Sequence, residues 1–387
     1  MTTEPRSPAR PIRSPMVADG RFISLDMFRG ATIFLMILVN TAGPGARPYT
    51  QLTHAGWFGF TVADLVFPSF LFAVGNAMSF AFRRQLSPMA FVARVLRRGG
   101  LILLLGILMY WYPFVARQAN GGWALIPFSV TRLTGVLQRI ALCYMLAAVA
   151  VRWLSPRALV ALSASMLLGY WCILTTFSEP GMAFDRYANA GTQLDLWAIG
   201  RDHLYKKDHG FDPEGLLGTL PATVNVLCGF LAGRFVQARG MTFTTVLRMM
   251  AAGAGLILLA LLWASAFPIG KKLWTGSFVL LTIGIDLTLL AGLMELVERR
   301  GLTVGRDFLA MLGRNPMAIY LFSELLVISM QMIRLGPDMG LYDWLGHDVF
   351  QTIAAGPLGS VLCALFYTLI CCLFGWWLDR RCWYLRV

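Results

Sequence analysis

The chain has 387 residues, 57% of them hydrophobic and only 14% charged, with a mean hydropathy of +0.64. A soluble domain carries about a quarter charged residues, so this composition excludes an ordinary soluble fold and predicts an all-α, polytopic membrane bundle in a lipid bilayer. The net charge of +13 does not mark a nucleic-acid partner, because the arginines gather in alternate loops, as membrane orientation requires.

Residues 1–20 are polar, basic and rich in Pro, and read as a flexible cytoplasmic tail with no apolar core of a cleavable signal before Phe28. Residues 21–387 read as one transmembrane domain. Apolar runs long enough to cross about 30 Å of hydrocarbon fall at 24–42, 60–82, 99–116, 133–152, 157–177, 216–234, 249–268, 273–297, 308–333 and 353–378. This predicts about ten helices, or eleven if a long run is broken.

The basic residues test that count. Arg6, Arg10, Arg13 and Arg21 precede the first run; Arg83, Arg84, Arg94, Arg97 and Arg98 follow the second; Arg152 and Arg157 follow the fourth. Arg234, Arg239 and Arg248 come next on the same side, then Arg299, Arg300 and Arg306, then Arg380, Arg381 and Arg386. Both termini are therefore expected in the cytoplasm, with His54 outside. The seven cysteines lie mostly in apolar runs without metal or disulfide spacing, and read as small buried hydrophobes. No metal is expected.

The first outer connector is the most informative stretch. Asn40 closes the first run, His54 stands in a short polar segment, and Asp64 opens the second run. Consecutive spans bring these three to one membrane face. An imidazole, a carboxylate and an amide gathered there suit acid–base chemistry, with Asp64 orienting the ring as in a triad. Thr61-Val62-Ala63-Asp64 also fits a capping box at a helix start, and Asn40 suits either an oxyanion donor or a helix C-terminus. The longest outer loop, 178–215, contains His203 and His209; a loop of that length caps a site or is simply solvated. Its end, Asp212-Pro213-Glu214-Gly215, reads as a helix start or as an acidic pair for a cationic amine. Within the spans, Arg139 and Arg314 suit phosphate oxygens, which guanidinium grips bidentately, or internal salt bridges with Asp286 or Glu324.

These stretches resemble a known family. Ser24-Leu25-Asp26-Met27-Phe28-Arg29-Gly30, Leu38-Val39-Asn40, His54-Ala55-Gly56-Trp57, Thr61-Val62-Ala63-Asp64-Leu65-Val66-Phe67-Pro68 and Gly135-Val136-Leu137-Gln138-Arg139-Ile140 carry the likeness. So do Phe211-Asp212-Pro213-Glu214-Gly215-Leu216-Leu217-Gly218-Thr219, Lys272-Leu273-Trp274 and Gly313-Arg314-Asn315. Together they resemble the transmembrane acetyltransferases typified by heparan-α-glucosaminide N-acetyltransferase, and within them the bacterial NagX-like members. The resemblance implies acetyl-CoA as cytosolic donor, an amino sugar such as glucosamine as acceptor on the far side, an inner-membrane location and a homodimer. It gives His54 as catalytic histidine, Asn40 as active-site asparagine and Asp64 as the aspartate after the histidine. Arg29, Arg139 and Arg314 are the candidate acetyl-CoA ligands, and Asp212, Glu214 and Trp57 the candidate acceptor ligands.

The expected mechanism is direct transfer in a ternary complex with His54 as base. An acetyl-imidazole intermediate is the alternative. An amino-sugar transporter also has about ten helices and buried charges, although the chain shows no clear inverted repeat. A non-catalytic scaffold gives no reason for Asn40, His54 and Asp64 to gather.

Overall fold

The computed structural model describes residues 22–82, 87–117, 122–208, 210–336 and 339–385. The tail at 1–20, Arg21, Arg83, Arg84, His209 and Arg386 lie outside the described residues.

The chain is helical almost throughout. Its elements are α1 (Ile23–Asn40), α2 (Val62–Ala81), α3 (Pro88–Trp111), α4 (Val136–Trp153), α5 (Pro156–Phe177), the short α6 (Ala190–Ala198), α7 (Thr219–Arg239), α8 (Phe243–Trp263) and α9 (Gly276–Leu293). They continue with α10 (Arg306–Arg314), α11 (Pro316–Met332), the small α12 (Leu341–Trp344) and α13 (Gln351–Ile353), and the long α14 (Pro357–Arg380). A small antiparallel hairpin, β1 (Val115–Arg117) and β2 (Trp123–Leu125), lies between α3 and α4.

Among the described residues, eight helices are long and apolar enough to cross a membrane by length and composition: α1, α2, α4, α5, α7, α8, α9 with its π-helical extension to Arg299, and α14. The other two expected runs are helical too. The α3 segment carries Arg94, Arg97 and Arg98 in its first half, and α11 has 17 residues. The apolar run expected at 308–333 is divided at Asn315-Pro316, where proline removes the backbone donor that would continue α10.

Local sequence sets the helix starts. Ser87 before Pro88 and Ser155 before Pro156 each accept a backbone N–H three residues on, from Ala90 and Ala158, the usual pairing of a side-chain cap with proline in the first turn. Thr242 and Thr275 cap α8 and α9 in the same way.

Packing follows small residues. Gly75 of α2 faces the Val226 carbonyl of α7, and Gly229 of α7 faces the Phe72 carbonyl of α2, with no room for a Cβ at either. In lipid, where apolar surface gains nothing by leaving water, such close backbone approach supplies much of the helix association. A large apolar cluster including Ile33, Leu71, Phe72, Trp274 and Phe278 fills the bundle interior. A second, smaller cluster of Tyr170, Leu174, Ala190, Phe267 and Leu273 holds the 178–215 loop against the His54 face.

Candidate active site

The connector between α1 and α2 folds back so that His54 meets the first turn of α2. Asp64 Oδ2 accepts the Thr61 backbone N–H at 3.0 Å and the Ala55 N–H at 3.2 Å, while the Thr61 hydroxyl lies 3.0 Å away. The other oxygen, Oδ1, is 3.0 Å from His54 Nδ1. Both readings of Asp64 hold together: one oxygen closes the capping box and the other holds the ring. An ionised carboxylate only accepts, so Nδ1 carries the imidazole proton and Nε2 is the basic nitrogen.

The ring opens onto a cavity of about 720 Å³. Its wall includes Asn40, Tyr110, Glu214, Lys271, Trp274 and Glu324. Asp64 is wholly buried behind the imidazole, whereas 41% of the His54 side chain is accessible, which leaves room for a reacting partner at the ring. Burial first, then the Lys271 ammonium, hold the imidazole below its ordinary pKa of 6.5, against the upward pull of Asp64. At neutral pH the ring is therefore an unprotonated base.

Lys271, in the connector between α8 and α9, is not among the sequence candidates. Its Nζ lies 3.0 Å from both ring nitrogens of His54 and 4.0 Å from Asp64 Oδ1. Burial lowers its pKa to about 8. A signal was available: the chain's four lysines, Lys206, Lys207, Lys271 and Lys272, all fall on the expected outer side, where the charge bias leaves arginine sparse.

The 178–215 loop closes over the cavity, contributing Tyr205, Lys207, Asp208, Pro213 and Glu214 to its wall. Arg132 organises this lid. Its guanidinium reaches Asp212 through Nε at 3.0 Å and Nη2 at 2.5 Å, and Glu214 Oε2 at 2.6 Å. Asp212 also accepts the Thr134 hydroxyl and the Tyr205 backbone N–H. Burial works against its charge, but Arg132 holds Asp212 below the usual carboxylate range. Asp212 is thus consumed in holding the lid, and of the acidic pair Glu214 faces the cavity.

Asn40 lines the cavity, with Nδ2 3.4 Å from Glu324 Oε1. The C-terminal cap of α1 is Thr41, not Asn40. Glu324 and Tyr320 bring α11 into the same cavity.

Six residues singled out in the sequence are placed elsewhere. Trp57 donates its indole N–H to the Phe184 carbonyl at 2.9 Å and packs under the Arg186 guanidinium, so it anchors the long loop outside the cavity lining. Arg139 is buried in the first turn of α4, donates to the Gly215 carbonyl at 2.8 Å and stacks on Trp274, behind the cavity wall. Arg314 pairs with Asp379 at 2.7 Å, not with Asp286 or Glu324. Its neighbour Asn315 binds the Trp383 carbonyl and the Leu385 N–H, which ties down the C-terminal segment. Arg29 lies 3.7 Å from Asp26, near the start of α1 and away from the cavity. His203 Nδ1 lies 2.7 Å from the Thr131 carbonyl, another loop anchor. Asp286, read as a salt-bridge partner, instead meets the Ser69 hydroxyl at 2.5 Å.

An all-α membrane bundle with an imidazole–carboxylate pair opening onto a lidded cavity at one face defines the class. Residues 21–262 match the family heparan-alpha-glucosaminide N-acetyltransferase, catalytic, and the chain belongs to that family. It is 29% identical over 362 residues to heparan-alpha-glucosaminide N-acetyltransferase of Homo sapiens, covering 79% of this chain and 53% of that protein. Against the Mus musculus protein of the same name it is 28% identical over 364 residues, covering 79% and 54%. The chain spans about half the length of the curated relatives it matches. The matched stretch includes Asn40, His54, Asp64 and Glu214 and ends before Lys271.

Proposed function

We propose that this chain is a membrane acetyltransferase, moving the acetyl group of acetyl-CoA from the cytosol to the amine of a glucosamine-type sugar on the extracytoplasmic face of a bacterial inner membrane. The observation that carries the reading is the His54–Asp64 pair at the mouth of the cavity, 3.0 Å apart, with Nε2 unencumbered by the carboxylate. Family membership adds the acetyl-transfer chemistry.

The steps follow from the groups present. The neutral amine attacks the thioester carbonyl carbon, and His54 Nε2 takes the proton that the nitrogen must shed. Collapse of the tetrahedral intermediate expels the CoA thiolate, which receives that proton back from His54. Asp64 fixes the tautomer, and the Asn40 amide donates to the oxyanion. Glu214 and Glu324 offer acceptors to sugar hydroxyls.

The cavity reaches down to Tyr320, roughly 18 Å along α11 from its end at Met332, a depth suited to a flexible acyl-carrying arm. Since Arg29, Arg139 and Arg314 do not line it, the CoA phosphates are better matched by Arg94, Arg152 and Arg234. These surround a second cavity of about 200 Å³ at the opposite ends of α3, α4 and α7. A homodimer remains part of the proposal on family grounds.

Purified protein given acetyl-CoA and glucosamine should release free thiol in step with N-acetylglucosamine. His54→Ala should lose about two to four orders of magnitude in turnover while still binding CoA. A protein that only carries an amino sugar releases no thiol, and that result would remove the proposal. Stoichiometric acetyl on His54 after mixing with acetyl-CoA alone would replace direct transfer by the covalent route.

A further inference from the structure

His54 and Lys271 present an electrostatic conflict that the base role alone does not resolve. Nζ lies 3.0 Å from Nδ1 and 3.0 Å from Nε2. A point that close to both ring nitrogens cannot lie in the ring plane, because it would run into Cε1. The ammonium therefore stands over the ring face, and neither in-plane nitrogen position is blocked. Nδ1 keeps its bond to Asp64, and Nε2 remains open to the cavity that Lys271 also lines.

At rest the charges cancel: Asp64 is negative, Lys271 positive and His54 neutral. When His54 accepts a proton, two cations stand 3.0 Å apart beside a single carboxylate. With only 13% of the Lys271 side chain exposed, solvent screens that repulsion poorly. Acyl transfer removes the conflict at the moment it arises, because the same attack that protonates His54 places a negative charge on the carbonyl oxygen. The site is thus closest to neutral in the resting state and at the tetrahedral intermediate, which is how a catalyst favours the transition state over other arrangements of the same groups.

We propose that Lys271 is a catalytic residue of the acetyl transfer: its ammonium stands over the imidazole face, adds to burial in opposing a proton there before attack, and then meets the oxyanion that attack creates. This rests on the reading of the site as an acyl-transfer centre. In the step, the amine nitrogen bonds to the carbonyl carbon, the carbonyl π pair moves to oxygen beside Nζ, and the nitrogen's proton goes to Nε2. Collapse re-forms the carbonyl, breaks the C–S bond and returns that proton to sulfur. Lys271 begins and ends protonated.

The charged groups facing Lys271 are His54 and Asp64, Glu214 from the lid, and Lys272, which is itself paired with Asp208 at 2.7 Å. Of these, Asp64 and Glu214 favour its charge, and Lys272 and burial disfavour it. Turnover should therefore fall on the alkaline side near pH 8, as Lys271 deprotonates.

The test uses the full chain in detergent with two variants, Lys271→Arg and Lys271→Met. Thiol release is measured against pH at saturating glucosamine. Carbethoxylation of His54 by diethyl pyrocarbonate, which reacts with neutral imidazole, is followed by peptide mass spectrometry over the same range. Lys271→Met should move the midpoint of His54 labelling to higher pH and lower kcat by about 10²- to 10³-fold, the usual effect of one lost oxyanion donor, with little change in KM for the amine. Lys271→Arg should keep the labelling midpoint and abolish the alkaline fall, because guanidinium does not deprotonate in this range. An unmoved labelling midpoint in Lys271→Met, or kcat within a few-fold of the parent, overturns the proposal. Should that variant fail to fold, an alkaline fall persisting near pH 8 in Lys271→Arg overturns it instead. The labelling arm needs no turnover, so a parent protein that releases no thiol refutes the acetyl-transfer reading separately.

Discussion

Replacing Asp64 by Asn separates the two tasks of this carboxylate. Oδ2 serves the loop, receiving the Thr61 and Ala55 backbone N–H groups, whereas Oδ1 faces the site, holding His54 at 3.0 Å with Lys271 Nζ at 4.0 Å. An asparagine amide can satisfy one side with oxygen and the other with NH₂. Two backbone donors outweigh one ring nitrogen, so the amide oxygen should take the Oδ2 position and turn its NH₂ toward Nδ1. A donor facing Nδ1 requires Nδ1 to accept, which moves the imidazole proton to Nε2, the nitrogen that must be basic. Asp64→Asn should therefore lose roughly 10²- to 10⁴-fold in kcat, the range for removing a general base, while losing only about 1 kcal/mol of stability from the weaker, uncharged hydrogen bonds. Asp64→Ala supplies the contrast: it orphans both backbone N–H groups, at about 1–3 kcal/mol each, and should melt at distinctly lower temperature. Thiol release and thermal denaturation in the same detergent measure both quantities. Turnover of Asp64→Asn within a few-fold of the parent, or a melting loss equal to that of Asp64→Ala, would refute the reasoning.

Three further outcomes are expected. Because burial and Lys271 hold the His54 imidazole below 6.5, the base form persists as pH falls through 6.5, and the acid limb of kcat/KM should lie below that value; a limb above 6.5 contradicts the assignment. Gly229→Leu should drive a side chain into the Phe72 carbonyl of α2, with overpacking costing about 1–3 kcal/mol or more, seen as a lowered melting temperature, whereas Gly255→Leu, which meets nothing within 4 Å, should leave stability nearly unchanged. Arg314→Gln should release the Asp379 contact near the C-terminal segment and leave acetyl-CoA affinity intact, while Arg94→Gln and Arg234→Gln should raise KM for acetyl-CoA; the reverse pattern in isothermal titration would restore Arg314 as a phosphate ligand.

Much of the site was legible because its first pair is local. His54 and Asp64 are ten residues apart, and a capping box fixes where the carboxylate must stand whatever else it does. The glutamate of Asp212-Pro213-Glu214 was likewise legible as an acidic group on the outer side, but its division of labour with Asp212 was not. That division depends on Arg132, some eighty residues earlier in the chain. The partners of Arg139 and Arg314 stayed open in the sequence for the same reason. A guanidinium within an apolar run announces that it needs a partner, without saying whether the partner is a substrate phosphate, the Gly215 carbonyl or Asp379.

The sequence by itself determined the membrane class, the positions of the apolar helices and the meeting of Asn40, His54 and Asp64 at one face. Hydrocarbon thickness fixes span length, and short connectors bring neighbouring ends together, so these features need only local information. Tertiary structure decided which charges share a cavity. Lys271 reaches His54 from 217 residues away, because α2 packs on α7 through Gly75 and Gly229, α8 packs on α9 through Gly253 and Gly284, and contacts of α9 with α2 and α7 bring the α8–α9 connector over the imidazole. No periodicity or motif encodes that approach; it exists only once the helices have chosen their neighbours, and it adds to burial in holding the imidazole neutral.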